Sequence, residues 1–181
     1  MGSLIVYTGP MKCGKTRTLI EKYNELQKQG KRCVMIKPDI DTRFEEKYVV
    51  DRDGNKVSCD RIHKLYQLER YIYLSDYIFI DEFQLLSGDM NIIKESIDSK
   101  DKNFYVAGLN LTAEKEMFGL MGNLLCLADE IHLLNGKCEV CGEPSKYSFC
   151  SAKKNGPILI GDSEYKTVCA KCYNILSRKS V

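Results

Sequence analysis

The sequence predicts an α/β fold, a mainly parallel sheet with helices on both faces, followed by a small cysteine-rich unit. Three observations predict it. A glycine-rich loop joins an apolar run to a helical segment near the N-terminus, strand-like and helix-like segments alternate to about residue 134, and two Cys-x-x-Cys pairs lie beyond.

Leu4-Ile5-Val6-Tyr7-Thr8 is a β-type run that leads straight into Gly9-Pro10-Met11-Lys12-Cys13-Gly14-Lys15-Thr16, which fits the phosphate-loop pattern G-x-x-x-x-G-K-[ST] at every fixed position. A helix is expected from Thr16 to about Gln29, because Leu19, Ile20, Tyr23 and Leu26 recur at helical spacing before Gly30 stops it. In this order the two glycines let successive N–H groups turn inward on an anion, and the helix N-terminus adds partial positive charge. Lys15 would reach the β- and γ-phosphates of ATP, and the Thr16 hydroxyl would ligate Mg²⁺. An accidental glycine turn is the alternative. Lys12, a less usual occupant of such a loop, is expected to be solvated, with added charge near the phosphates as the alternative, and Cys13 is the thiol to watch for oxidation or alkylation.

Cys33-Val34-Met35-Ile36 reads as a second strand ended by Pro38, with a polar turn over Asp39 to Arg43. Asp53-Gly54 between two short β-type segments predicts a hairpin over 48–57, and His63 to Tyr73 reads as helical. Asp76-Tyr77-Ile78-Phe79-Ile80-Asp81-Glu82 is an apolar strand ending in two carboxylates, a Walker B pattern. Acidic groups at that edge lie where a nucleotide's Mg²⁺ sits, so Asp81 is assigned to the metal and Glu82 to proton transfer; simple strand capping is the alternative. A helix over 89–99, a buried strand over 103–109 and a helix or helix-loop from Gly119 to Asp129 complete the alternation. The fold class is therefore that of the P-loop NTPases.

Composition bounds the function. The net charge is +2 and no run of Lys and Arg makes a nucleic-acid or membrane patch. The N-terminus enters a strand at once, without signal peptide or anchor, so a cytoplasmic protein is expected. Nine cysteines at scattered spacing do not suit a secreted disulfide framework. Cys138, Cys141, Cys169 and Cys172 instead read as two knuckles around one structural Zn²⁺, with paired disulfides or redox dithiols as alternatives. The expected domains are 1–134, ATP-binding, and 135–181, a zinc ribbon with a lid loop. Cysteines 13, 33, 59, 126 and 150 read mostly as small buried or half-buried hydrophobes, and His63 and His132 as structural.

Taken together these segments resemble the thymidine kinases of the tetrameric, zinc-containing type. The resemblance runs over nearly the whole chain. It is carried by Gly-Pro-Met before Gly14-Lys15-Thr16, by Asp41-Thr42-Arg43, Asp81-Glu82-Phe83-Gln84 and Ala107-Gly108-Leu109-Asn110, and by Phe118-Gly119, Leu127-Ala128-Asp129, the cysteine pairs and Ile160-Gly161 with Tyr165. It implies transfer of the ATP γ-phosphoryl group to a deoxynucleoside 5′-hydroxyl, with Glu82 as base, Arg43 near the phosphates, and a homotetramer. It also implies a nucleoside pocket formed by Met11, Leu85, Phe118, Ser148, Ile160, Gly161 and Tyr165 under a loop at about 147–165. Leu85 and Ala113 stand where the family usually has phenylalanine, Asn110 replaces an aspartate, and the 160–165 segment is one residue short. A kinase with shifted base choice, a P-loop ATPase and a non-catalytic nucleotide-binding regulator are the competing readings.

Overall fold

The computed structural model describes residues 1–42, 45–150, 161 and 164–179. Its chain order is β1 (Ser3–Thr8), α1 (Lys15–Lys28), β2 (Cys33–Pro38), β3 (Tyr48–Val50), β4 (Lys56–Ser58), β5 (Asp60–Ile62), α2 (Glu69–Leu74), β6 (Tyr77–Ile80), α3 (Asn91–Lys100) and β7 (Asn103–Gly108). There follow α4 (Met121–Leu127), β8 (Glu130–Leu133), β9 (Gly136–Lys137), β10 (Pro144–Ser145), β11 (Tyr147–Cys150), β12 (Tyr165–Val168) and α5 (Ala170–Lys179).

The main sheet runs β5-β2-β6-β7-β1-β8, and every pairing in it is parallel. Strand alternation divides the core in two. Leu4, Val6, Ile78, Ile80, Phe104 and Val106 point to one face and pack with residues of α2, α3 and α4. Ile5, Tyr7, Phe79 and Ala107 point to the other, where Leu19, Ile20, Tyr23 and Leu26 of α1 and Val49 and Val57 of the β3–β4 hairpin cover them. Both faces are thus dry, which explains why the strands read as continuous apolar runs. Asp129, from the Leu127-Ala128-Asp129 segment, accepts from the Leu4 backbone N–H at 2.8 Å and ties the entry of β8 to β1.

Because all six strands are parallel, their carboxyl ends share one edge. The loop after β1 and the carboxylates after β6 emerge there together. Beyond β8 a separate small core of Cys138, Phe149, Val168 and Cys172, with Tyr147, Tyr173 and Leu176 against it, holds the C-terminal lobe.

Three differences from the sequence reading have physical causes. The 63–73 segment begins as a 3₁₀ turn over Leu65–Leu68 and becomes α-helical only at Glu69. Strands β5 and β8 extend the sheet at its two edges, where they are too short or too exposed to alternate visibly. Helix α5 spends Cys172 in its buried face, so its apolar period is disguised as metal-ligand spacing.

Candidate active site

Gly9 and Gly14 have φ of 140° and 92°, so both make turns that other residues resist. A Cβ on Gly9 would stand 2.2 Å from the Leu134 carbonyl oxygen, so this glycine is needed for close approach as well as for its turn. The loop opens α1, as expected. Lys15 is buried, and its Nζ donates to the carbonyls of Pro10 at 2.6 Å and Gly9 at 3.2 Å, close to the Cys13 sulfur at 3.6 Å. The Thr16 hydroxyl donates to Asp81 Oδ2 at 3.1 Å. A hydroxyl and a carboxylate at that distance form an oxygen pair suited to a hard cation such as Mg²⁺.

One cavity joins the loop to Lys37, Asp41, Asp81, Glu82 and Leu109. Glu82 has a φ of 51°, in the left-handed region, which for a non-glycine residue costs about 1–3 kcal/mol. That turn brings Gln84 back beside it. Gln84 Nε2 donates to Glu82 Oε2 at 2.5 Å, while Gln84 Oε1 accepts from the Leu109 N–H at 2.9 Å. Gln84 is itself buried and is crossed by Gly119, whose Cβ, if it had one, would lie 2.4 Å from the Gln84 carbonyl oxygen. Sequence reasoning left Gln84 unassigned. The signal was its place in the Asp81-Glu82-Phe83-Gln84 segment, but spacing alone does not reveal a left-handed turn.

Lys37 was also missed. Fully buried at the end of β2, it donates from Nζ to the carbonyls of Glu45 at 2.8 Å and Tyr48 at 2.9 Å, and so fixes the hairpin whose residues line the cavity. Asp51 shapes that hairpin's turn by accepting from the backbone N–H groups of Asp53 and Asn55 and from the Asn55 amide. Burial opposes its charge, yet these donors and nearby Arg17 outweigh it and hold the carboxyl below its usual value.

Leu85 and Phe118 are half-buried, and Ser148 is buried. Neither they nor Tyr165 line the cavity just described. Ser148 lies behind the phosphate loop, where its Oγ accepts from the Met11 N–H at 3.0 Å. Lys12, expected to be solvated, is instead paired: its Nζ lies 3.0 Å from Glu139 Oε1 and 3.1 Å from the Tyr165 carbonyl oxygen. Ala113, with little side chain of its own, accepts through its carbonyl from the Tyr173 hydroxyl at 2.6 Å. Arg43 and Ile160 lie outside the described residues, as does most of the expected lid. Of the five cysteines read mostly as buried or half-buried, Cys13, Cys33, Cys59 and Cys150 are half-buried and Cys126 is exposed on α4.

The sulfurs of Cys138, Cys141, Cys169 and Cys172 all lie within 4.8 Å of one another, and none is in a disulfide. The Cys141–Cys169 separation of 3.7 Å is the edge of a tetrahedron with metal–sulfur bonds of about 2.3 Å. Their electrostatics fit a cation too. Burial disfavours a Cys138 thiolate, but backbone N–H groups of Cys169, Cys141 and Val140 outweigh it and bring the thiol down to about 6. Cys172 is pushed up to about 12 by burial and by its hydrogen bonds to the other three sulfurs. A divalent ion relieves that crowding, so these residues can hold zinc with every position closed.

Fold and site together define a P-loop protein of the nucleotide-binding class, with a lobe whose four cysteines could hold a metal seated against its glycine-rich loop. A thymidine kinase family model matches residues 2–173, and the chain belongs to that family. It is 31% identical over 183 residues to a thymidine kinase of Pseudothermotoga lettingae, covering 99% of this chain and 98% of the relative. It is 30% identical over 180 residues to one from Metamycoplasma arthritidis, covering 96% and 91% respectively. A Bacteroides fragilis thymidine kinase is 28% identical over 173 residues, covering 95% and 87%.

Proposed function

We propose that this chain phosphorylates thymidine, using ATP as donor. The observation that carries the reading is the meeting of Lys15, Thr16, Asp81 and Glu82 around one cavity. The nucleoside 5′-hydroxyl oxygen bonds to the γ-phosphorus as the bond from that phosphorus to the bridging oxygen breaks, releasing ADP. The hydroxyl proton passes to Glu82, which Gln84 holds in place. Lys15 and Arg43 stabilise charge on the transferring group. Thr16 and Asp81 would hold Mg²⁺, whose contribution is to offset phosphate charge. The four cysteines would hold Zn²⁺ in a structural role, taking no part in the transfer itself.

We assign the nucleoside to Met11, Leu85, Phe118, Ser148, Ile160, Gly161 and Tyr165, the positions that match the family's pocket. A homotetramer is part of the same reading, supported by the exposed Ile131 and Leu133 on edge strand β8. A cytoplasmic location is proposed for a nucleotide-salvage enzyme. Among the described residues no helix is long and apolar enough to cross a membrane.

The test is a panel of deoxynucleosides with ATP and Mg²⁺, with Glu82→Gln alongside. Thymidine is expected to react well above the others, and the variant to lose about 10²–10⁴ in rate while still binding ATP. Preference for another base would mean that Leu85, Asn110 and Ala113 have reshaped the pocket. Nucleoside-independent ATP hydrolysis would favour the ATPase reading, and no turnover the regulator.

A further inference from the structure

The phosphate loop is gripped from behind by the lobe that carries the cysteines. Thr167, almost fully buried on β12, donates from its hydroxyl to the Met11 carbonyl at 2.7 Å, while the Met11 N–H donates to Ser148 Oγ on β11 at 3.0 Å. Peptide planarity makes these two contacts decisive, because the C=O and N–H of a trans peptide point opposite ways. With the Met11 N–H turned to Ser148, the Pro10 carbonyl faces the other way, where Lys15 Nζ meets it at 2.6 Å. With the Met11 carbonyl turned to Thr167, the Lys12 N–H is directed away from the lobe. Two successive peptide planes of the anion cradle are therefore oriented by side chains more than a hundred residues away.

Glu139 extends the grip into the metal knuckle. It sits between Cys138 and Cys141, its Oε1 accepts from both Lys12 Nζ at 3.0 Å and the Thr167 N–H at 2.8 Å, and its own N–H donates to the Thr167 carbonyl at 2.9 Å. Lys12 has a φ of 60°, a conformation side-chain-bearing residues seldom take, and its Nζ contacts hold it there. Gly136 allows the close fit, since a Cβ there would lie 2.7 Å from the Thr167 methyl.

We propose that Thr167, Ser148 and Glu139 are positioning residues for the phosphate loop, so that metal binding at the cysteines and nucleotide binding at the loop are energetically coupled. The inference rests on the assignment of nucleotide and zinc to their two sites. Coupling between sites is reciprocal, so zinc must strengthen nucleotide binding by the same factor as nucleotide strengthens zinc binding.

The experiment measures ADP affinity calorimetrically for zinc-loaded and chelator-stripped protein, and zinc affinity by chelator competition with and without saturating ADP. Wild type is expected to show a ratio of about ten in both directions. Thr167→Val should keep a full complement of zinc yet bind ADP more weakly and bring both ratios close to one. If circular dichroism shows that this variant is unfolded, Lys12→Met at its part-exposed position carries the test, with the ratio expected to fall at least about threefold. Equal ADP affinity with and without zinc in wild type would overturn the coupling alone, as would an unchanged ratio in the folded variant. Failure of wild type to bind ADP at all would overturn both the coupling and the nucleotide assignment.

Discussion

Glu82 and Gln84 show how much of this site depends on single atoms. The Leu109 N–H can be satisfied only by Gln84 Oε1, which leaves the Gln84 amide hydrogens for the Glu82 carboxylate and fixes the orientation of the side-chain amide. Gln84→Met fills similar space without either polar atom. With Glu82 as the proposed base, it is expected to lower kcat by about 10- to 100-fold with a smaller change in nucleotide KM, because such a base acts only in the transition state. Steady-state kinetics check this, and an unchanged kcat would mean other groups place the carboxylate. The phosphate-loop residues and both carboxylates were legible in the sequence because their chemistry demands fixed types at fixed spacing. The roles of Gln84, Lys12 and Lys37 were not legible, since each depends on where the backbone turns: left-handed at Glu82 and Lys12, and back across β2 at Tyr48.

Among the elements, the β3–β4 hairpin is the one whose stability should follow pH. The Asp51 carboxyl lies below its usual 3.8 in the folded protein. Its contribution is complete above that unfolded value and disappears as the pH falls through the lower, folded one. Hydrogen exchange of the hairpin amides should therefore accelerate in acid, and Asp51→Asn, which keeps acceptors for part of the turn but carries no charge, should weaken that dependence. On the sheet, Phe79 is fully buried between Tyr23, edge-on at 5.2 Å, and Tyr105, stacked at 5.0 Å. Phe79→Ala is expected to cost about 3–5 kcal/mol, measured by denaturant unfolding. The buried strands β1, β2, β6 and β7 were readable as apolar runs because both their faces are covered. The edge strands β5 and β8 carry no such signature, and β8 is largely exposed.

For the whole molecule, light scattering is expected to give the mass of four chains, and a monomer at working concentration would refute the assembly. Among the described residues the cysteine lobe meets the main body through Thr167 and Ser148 on Met11, Glu139 on Lys12, and Tyr173 on Ala113, with Lys115 Nζ 3.8 Å from the Tyr173 ring centre. The two cysteine pairs pointed to a C-terminal lobe, but not to its contacts with the glycine loop, since the partners are far apart in the chain. Met11 and Thr167 are separated by 156 residues, a distance that has a meaning during protein synthesis. A ribosome adding about 5–20 residues per second takes about 8–31 s to travel between them. Through that interval the glycine loop exists without the hydroxyl that bonds its Met11 carbonyl. A nascent chain thus completes the hydrogen bonds around its glycine loop late in translation, after most of its sheet has been made.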